Sequence, residues 1–535
     1  MVVALTGTGH AAPPSLTSDD VSNIIARGAE AALTYSPKCV IAVTDREGFV
    51  LAVYGVSGTP TVAEKQQVAN AVAKAGTAAY LSSAGEAFTT RTAGFIIQPH
   101  FPPGVSNTAP GPLVGVGFSS LPFSDINHFR DPVNPLHLPE PPYSALGIPG
   151  TSLSGNPGGV PLYIHGVEVG GVGVDSSPTA DAGTFVAGPD VDEDIAVIAQ
   201  GWYAPPPGIL ATQVLLGGIR LPYTDFSGAS KATAILNPAN FAPEYPSPPA
   251  ASPGIPFQAG LHAYNITSPV QAIPILPVPF PLSQIVGGEV RDPIRGSPFT
   301  STVRGQPRLS QAEVTSILYN AALQASKTRG AIRNPAGSPA EVFIVVLDYY
   351  NLTAAGVPMA PPAPLPPPST APYTFPRPQV LGSFRTPDAT IFSYDVAAQK
   401  ARTALFFSSN AMAMSSRTVG FLAQGTYPPG IDGTAPGPYR NLQYELSMSP
   451  ATNSNAAINP FLPNGITIFP GGFPLYRNGV LIGAIGVSGD GVDQDDLISA
   501  AGTVNFEAPP SIRADEFTYL GARLPYADFP ANASL

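Results

Sequence analysis

The chain has 535 residues, 44% of them hydrophobic and only 11% charged, with a formal net charge of −11. That balance supplies apolar material for buried cores and argues against a nucleic-acid partner, which needs a concentrated basic face. A single cysteine, Cys39, rules out an intrachain disulfide framework and any Cys-rich metal site, and no apolar run reaches the length of about 18 residues that spans a membrane.

The first predicted element is a helix. Thr17-Ser18-Asp19-Asp20 makes a weak capping box, and Val21, Ile24, Ile25 and Ala32 follow at helical spacing. A hairpin comes next, Val40 to Asp45 and Phe49 to Tyr54 flanking the turn Arg46-Glu47-Gly48. Cys39 opens the apolar run of its first strand and reads as a buried structural thiol. A long helix is expected over about Val62 to Ser82, and a shorter one carries Arg91-Thr92. Past an insertion at about 113–155, a second hairpin pairs Val160 to Ile164 with Glu168 to Val174 around His165-Gly166. The last helix of this half starts in Asp190-Val191-Asp192-Glu193-Asp194. Residues 227–306 then read as a Pro-rich connector, whose apolar stretch Val270 to Phe280 should dock on other surface.

The same order returns. Ser310-Gln311-Ala312-Glu313 is a full capping box before Val314, Ile317, Leu318 and Leu323. Strands follow at Val342 to Asp348 and Val380 to Phe384, separated by an insertion at about 351–378 whose run Pro361 to Pro368 cannot continue a ladder. A helix from about Ser393 to Ser408, a short one at Arg417-Thr418 and an insertion at about 439–463 lead to the final hairpin. Phe473 to Tyr476 and Val480 to Val487 flank Asn478-Gly479, and the last helix starts in Asp493-Gln494-Asp495-Asp496. Short segments repeat almost literally: Lys74-Ala75-Gly76-Thr77-Ala78 as Lys400-Ala401-Arg402-Thr403-Ala404, Thr108 to Pro112 as Thr434 to Pro438, and Arg220-Leu221-Pro222-Tyr223 as Arg523-Leu524-Pro525-Tyr526. Repetition in one order predicts tandem duplication: a domain at 1–226, a connector at 227–306 and a domain at 307–535. Each is expected to be α+β, an antiparallel sheet packed with helices. The 65 prolines and 54 glycines would suggest disorder, but the Pro-rich stretches also carry Ile, Leu, Val and Phe and read as ordered loops lying on the domains or on a neighbouring subunit.

The segments Phe392 to Ala404, Pro470-Gly471-Gly472-Phe473-Pro474-Leu475 and Gly483-Ala484-Ile485-Gly486-Val487-Ser488-Gly489 resemble the GlcG/HbpS family of haem-binding proteins, to which the C-terminal domain of PduO proteins is related. The likeness covers most of both repeats and is weaker in the first, where Asp175 stands in place of Ser488. It implies a self-associating α+β domain that in some members binds haem, with links in a few to iron handling or haem breakdown. The positions matching the family pattern are Lys400, Arg402 and Thr403, the Pro470-Gly471-Gly472 turn and the strand end from Gly483 to Gly489.

Haem needs an axial ligand, usually His and sometimes Tyr, Met or Cys. All six histidines, His10, His100, His128, His137, His165 and His262, lie in the first half or the connector; Asn478 and Thr426 replace His165 and His100 in the second half. A haem site using His from both halves is therefore excluded. The ligand candidates are His100, which follows a helix beside Phe101, and His165 at a hairpin tip, then Tyr163 and Tyr476. Lys74 and Lys400 sit mid-helix in apolar surroundings and either mark a pocket or reach an acid such as Asp45 or Asp348. Arg91 and Arg417 suit an anion or loop carbonyls. The acid clusters lack the glycine and distal glutamate of an EF-hand loop and are explained by the helix dipole. The Gly166 to Gly173 pattern lies on a hairpin, so it predicts no dinucleotide site, and there is no Gly-x-Ser-x-Gly elbow. We expect no catalytic and no metal residues. The leading expectation is non-catalytic binding of haem, or of a similar apolar anionic small molecule, by a homo-oligomer. A structural or assembly role stands beside it, and haem degradation rests on family analogy alone. The N-terminus lacks a basic segment followed by an apolar core, so no secretory signal is expected, while low lysine and cysteine with abundant Pro, Ser and Thr lean extracytoplasmic.

Overall fold

The structure, a computed structural model, describes residues 14–35, 38–46, 48, 50–56, 62–98, 100–108, 111–113, 154–177, 185–226, 277–285, 287–332, 337–352, 379–443 and 467–535. Nearly all of the three insertions, the connector up to residue 276, and His10, His128, His137 and His262 lie outside the described residues.

The first half runs α1 (Ser18–Tyr35), β1 (Val40–Asp45), β2 (Val50–Gly55), α2 (Val62–Leu81), α3 (Thr90–Ile96), β3 (Gly159–Ile164), β4 (Val167–Asp175) and α4 (Val191–Gln200), then a small hairpin of β5 (Leu215–Leu216) and β6 (Ile219–Arg220). The second half runs β7 (Glu289–Asp292), α5 (Gln311–Ala325), β8 (Phe343–Asp348), β9 (Val380–Arg385), α6 (Phe392–Phe407), α7 (Ser416–Leu422), β10 (Gly472–Arg477), β11 (Val480–Ser488) and α8 (Val492–Gly502), closing on β12 (Thr518–Tyr519) and β13 (Ala522–Arg523). This is an α+β architecture. The first sheet has the antiparallel order β2-β1-β4-β3, and the second has β10-β11-β8-β9-β7.

The strands read as continuous apolar runs because helices cover both faces of each sheet. Along β4, a Cβ added at Gly171 or Gly173 would collide with the backbone of α2, so that helix lies directly on the strand. The alternating Val172 and Val174 face the other way, into a core with Ile24 and Ile25 of α1 and Ile195 of α4. In the second sheet Gly486 meets α6 in the same manner, while Ile485 packs under Gly502 of α8.

The two halves share one apolar cluster. Leu81, Phe88 and Ile96 belong to the same continuous core as Phe392, Val396 and Val487. At its edge the Asp388 carboxylate accepts hydrogen bonds from the Ser83 hydroxyl (2.9 Å) and from the amides of Ala84 and Gly85 (both 2.7 Å).

Residues 289–292, placed in the connector by the sequence, instead form β7 and add an edge strand beside β9. Glu289 explains why so short and polar a strand holds. Its carboxylate lies between Arg291 (2.8 Å) and Arg385 (3.0 Å). Burial alone would raise its pKa, but the two guanidiniums outweigh that and hold it at about 2. A carboxyl depressed on folding contributes stability that is complete above its unfolded value and lost as pH falls through the folded one. Glu289→Gln should therefore cost about 2–3 kcal/mol near pH 7, and the gap to wild type should close as urea melts are taken toward pH 2.

Candidate functional site

Lys74 and Lys400 are almost wholly enclosed, at 2% and 1% exposure. Neither reaches the first-strand aspartates expected for it. Lys74 Nζ donates to Asp175 (2.7 Å), Asp192 (3.1 Å) and the Val174 carbonyl (3.1 Å). Lys400 Nζ donates to Asp495 (2.7 Å) and the Val487 carbonyl (2.8 Å). The antiparallel register supplies the reason: Asp175 pairs opposite Val40, whereas Asp45 lies at the far end of β1 opposite Gly170. Five residues of strand separate those ends by roughly 17 Å. Asp348, in turn, is taken by Arg308 at 3.2 Å.

The acid clusters at the starts of α4 and α8 accordingly do more than answer a helix dipole. Asp190 caps α4 through the amides of Asp192 and Glu193, Asp192 holds Lys74, and Glu193 holds Arg91 through Nε and Nη2 at 2.8–3.0 Å. Arg91 also donates to the carbonyls of Val186 and Gly188. In the second half Arg417 bridges Asp493 and Asp496. Complete burial pushes Asp496 up to about 6 although Arg417 and the amides of Gly471 and Asp528 pull the other way. Burial likewise holds the Lys400 ammonium below the usual lysine range, partly offset by Asp495. Both arginines are thus committed to internal carboxylates.

The tyrosines are committed too. The Tyr163 hydroxyl donates toward the carbonyls of Ser83 (2.7 Å) and Glu86 (2.9 Å), and that of Tyr476 to Ser409 (2.7 Å). Each ring is 2% exposed. His100 is half-buried, with Nδ1 2.8 Å from the Thr108 carbonyl oxygen. A carbonyl can only accept, so Nδ1 carries the proton and the ring braces its own loop. His165 is exposed at a tight turn, with φ of 51° before Gly166 at 80°. Asn478 and Gly479 repeat that geometry at 50° and 76°, two positive angles as a type I′ turn requires. The Cys39 thiol is pushed up to about 12, first by burial, and is inert.

Between the halves lies a half-open cavity of about 80 Å³. Leu81, Phe88, Ile96 and Leu113 wall one side, and Phe392, Val396, Phe469 and Val492 the other. Its polar groups are Lys400, Asp495, Ser393 and Ser488. The Ser393 hydroxyl is engaged with Thr390 at 2.8 Å. Of the eight candidate site residues only Lys400 is on this wall; His100, His165, Tyr163, Tyr476, Lys74, Arg91 and Arg417 are not brought to it. The sequence reading missed Asp495 and Ser488 as site residues. The replacement of Ser488 by Asp175 was the available signal.

Haem does not fit this cavity. Among the described residues its lining carries no His, Tyr, Met or Cys, and its volume is well below the roughly 300 Å³ at which pockets for drug-sized ligands begin. Among the described residues no group of three or more His, Cys, Asp or Glu could hold a metal ion, and no helix is long and apolar enough to cross a membrane.

Residues 376–503, which contain β9 through α8, match the family described as haem degrading protein HbpS-like. No curated protein matches the chain. Among solved structures, a PduOC–haem complex is similar at 19% identity and a TM-score of 0.22, over 38% of this chain and 98% of that one. ORFY of Klebsiella pneumoniae is similar at 16% identity and 0.20, over 36% and 92%, and HbpS at 21% and 0.18, over 37% and 96%. The second half of the chain carries a GlcG/HbpS-like domain.

Proposed function

We propose that the chain is a non-catalytic ligand-binding protein of the HbpS type, in which two tandem domains pair within one chain and seat a small molecule at their junction. The cavity walled by both halves carries this reading. Pairing about a two-fold axis is supported by the loops at 100–108 and 427–439. The Asn107 amide donates to Asp432 at 3.0 Å, and in the internal alignment Asn107 and Asp432 differ by one position from being each other's counterparts. Matching loops that meet each other are what an isologous contact would produce.

The family description points toward haem-related binding. Of the two ligand classes left open by the sequence, haem and a smaller apolar anion, the geometry of this cavity favours the smaller. A haemin titration tests that. We expect no saturable Soret shift that depends on His100 or His165; a one-to-one shift abolished by His100→Ala or His165→Ala would overturn it. The non-catalytic reading is supported by the inert Cys39 thiol and by the engagement of His100 Nδ1 with a carbonyl. An assembly role is favoured by a narrower observation, the exposure of Trp202, Phe280 and Leu520 at 72%, 77% and 78%. Light scattering at micromolar concentration separates a monomer from the homo-oligomer that such surfaces would support.

A further inference from the structure

We propose that the ligand of this cavity is a small monocarboxylate, whose carboxyl group takes the third N–H of Lys400 in the place that Asp175 occupies beside Lys74. The proposal rests on the cavity being a ligand seat and names what it takes.

An ammonium has three donors. In the first half all three are used, by Val174, Asp175 and Asp192. Lys400 has the equivalents of two, Val487 for Val174 and Asp495 for Asp192. The equivalent of Asp175 is Ser488, and the register places both alike. Asp175 pairs opposite Val40 of β1 and Ser488 opposite Phe343 of β8, while five residues back Gly170 faces Asp45 and Gly483 faces Asp348. Ser488 is shorter than aspartate, uncharged and part of the cavity wall. Its hydroxyl has no hydrogen-bond partner among the described residues.

The charge count agrees. Lys74 is held by two carboxylates, whereas Lys400 is held by one, so one anion can enter beside Lys400 and reproduce the balance of the first half. Burial strengthens the Coulombic attraction between the ammonium and an anion that enters beside it. The neighbouring helix start adds to it. Gly491 at the N-cap of α8 supplies no side-chain cap, and both Gly491 and Val492 border the cavity. In the first half Asp190 fills that role. The remaining walls are apolar and call for an alkyl chain. At 10–15 Å³ for each water, 80 Å³ holds about five to eight, which is the size of a carboxylate with a short tail.

The test is isothermal titration of the full chain with butanoate, and with butanamide as the uncharged match. We expect one butanoate per chain and at least tenfold weaker binding of the amide. Ser488→Asp should abolish butanoate binding by supplying the missing carboxylate from the chain. If Ser488→Asp fails to fold, Ser488→Asp with Val396→Asn carries over the complete first-half arrangement, in which Asn70 donates to Asp175 at 3.2 Å. Equal binding of butanoate and butanamide would leave the seat standing and overturn the carboxylate. Binding of neither would overturn the seat itself.

Discussion

Lys400→Met is expected to cost about 3–5 kcal/mol, because it leaves the Asp495 carboxylate, 3% exposed, in apolar surroundings without its cation. That is a large share of the roughly 5–15 kcal/mol by which a domain is stable. The loss is the penalty of the stranded partner and not the worth of the pair. Lys400→Met with Asp495→Leu should therefore be more stable than Lys400→Met alone, a coupling that guanidinium melts of the single and double variants would measure. Lys74→Met should cost more than Lys400→Met, since it strands Asp175 and Asp192 together. If both lysine variants melt within about 0.5 kcal/mol of wild type, the enclosed pairs are not where the structure puts them.

These pairs show where the sequence stopped being readable. The helices and hairpins were legible because their signals are local. Apolar runs gave β1, β8 and β11, a serine and a glutamate three apart gave the start of α5, and Asn478-Gly479 gave a hairpin. Lys74 and Lys400 could be seen to need acids. Which acids could not be seen, since Asp175 lies 101 residues from Lys74 and Asp495 lies 95 from Lys400. Only the antiparallel register, which carries Asp45 to the wrong end of its strand, decides between the candidates. β7 was missed for a different reason. Glu289-Val290-Arg291-Asp292 has one apolar residue, no period to detect, and is held by ion pairs to a strand almost a hundred residues on. The cavity was out of reach because its walls come from Leu81 at one extreme and Asp495 at the other. His100, His165, Tyr163 and Tyr476 were chosen by chemical type, and type says nothing of position. The one local clue to the site is a difference between matching segments, Asp175 against Ser488.

Gly486→Ala should be as damaging as the loss of Lys400, although it adds a single methyl group. A Cβ at Gly486 would collide with the Ala397 carbonyl oxygen and lie 2.7 Å from the Ala401 nitrogen. Both are backbone atoms of α6, so no rotamer change relieves the overlap and the helix must lift from the sheet. Overpacking that displaces backbone costs at least the 1–3 kcal/mol seen for ordinary core insertions, and about 3 kcal/mol or more is expected here. Gly173→Ala, which would strike Ala71 and Ala75 of α2, should behave alike. Gly425→Ala is the control, with nothing within 4 Å of its Cβ, and should stay within about 0.5 kcal/mol of wild type. The consequence extends to the site, because α6 brings Phe392, Val396 and Lys400 to the cavity while β11 brings Val487 and Ser488. Lifting α6 pulls Lys400 away from the Val487 carbonyl and so breaks the geometry that leaves one N–H for a ligand. Should Gly486→Ala fold at low temperature, butanoate binding should still be lost, while Gly173→Ala, whose displaced α2 brings only the apolar Leu81 to the cavity, should keep more of it. Equal retention by both variants would mean that the helix–strand contact does not set the position of Lys400.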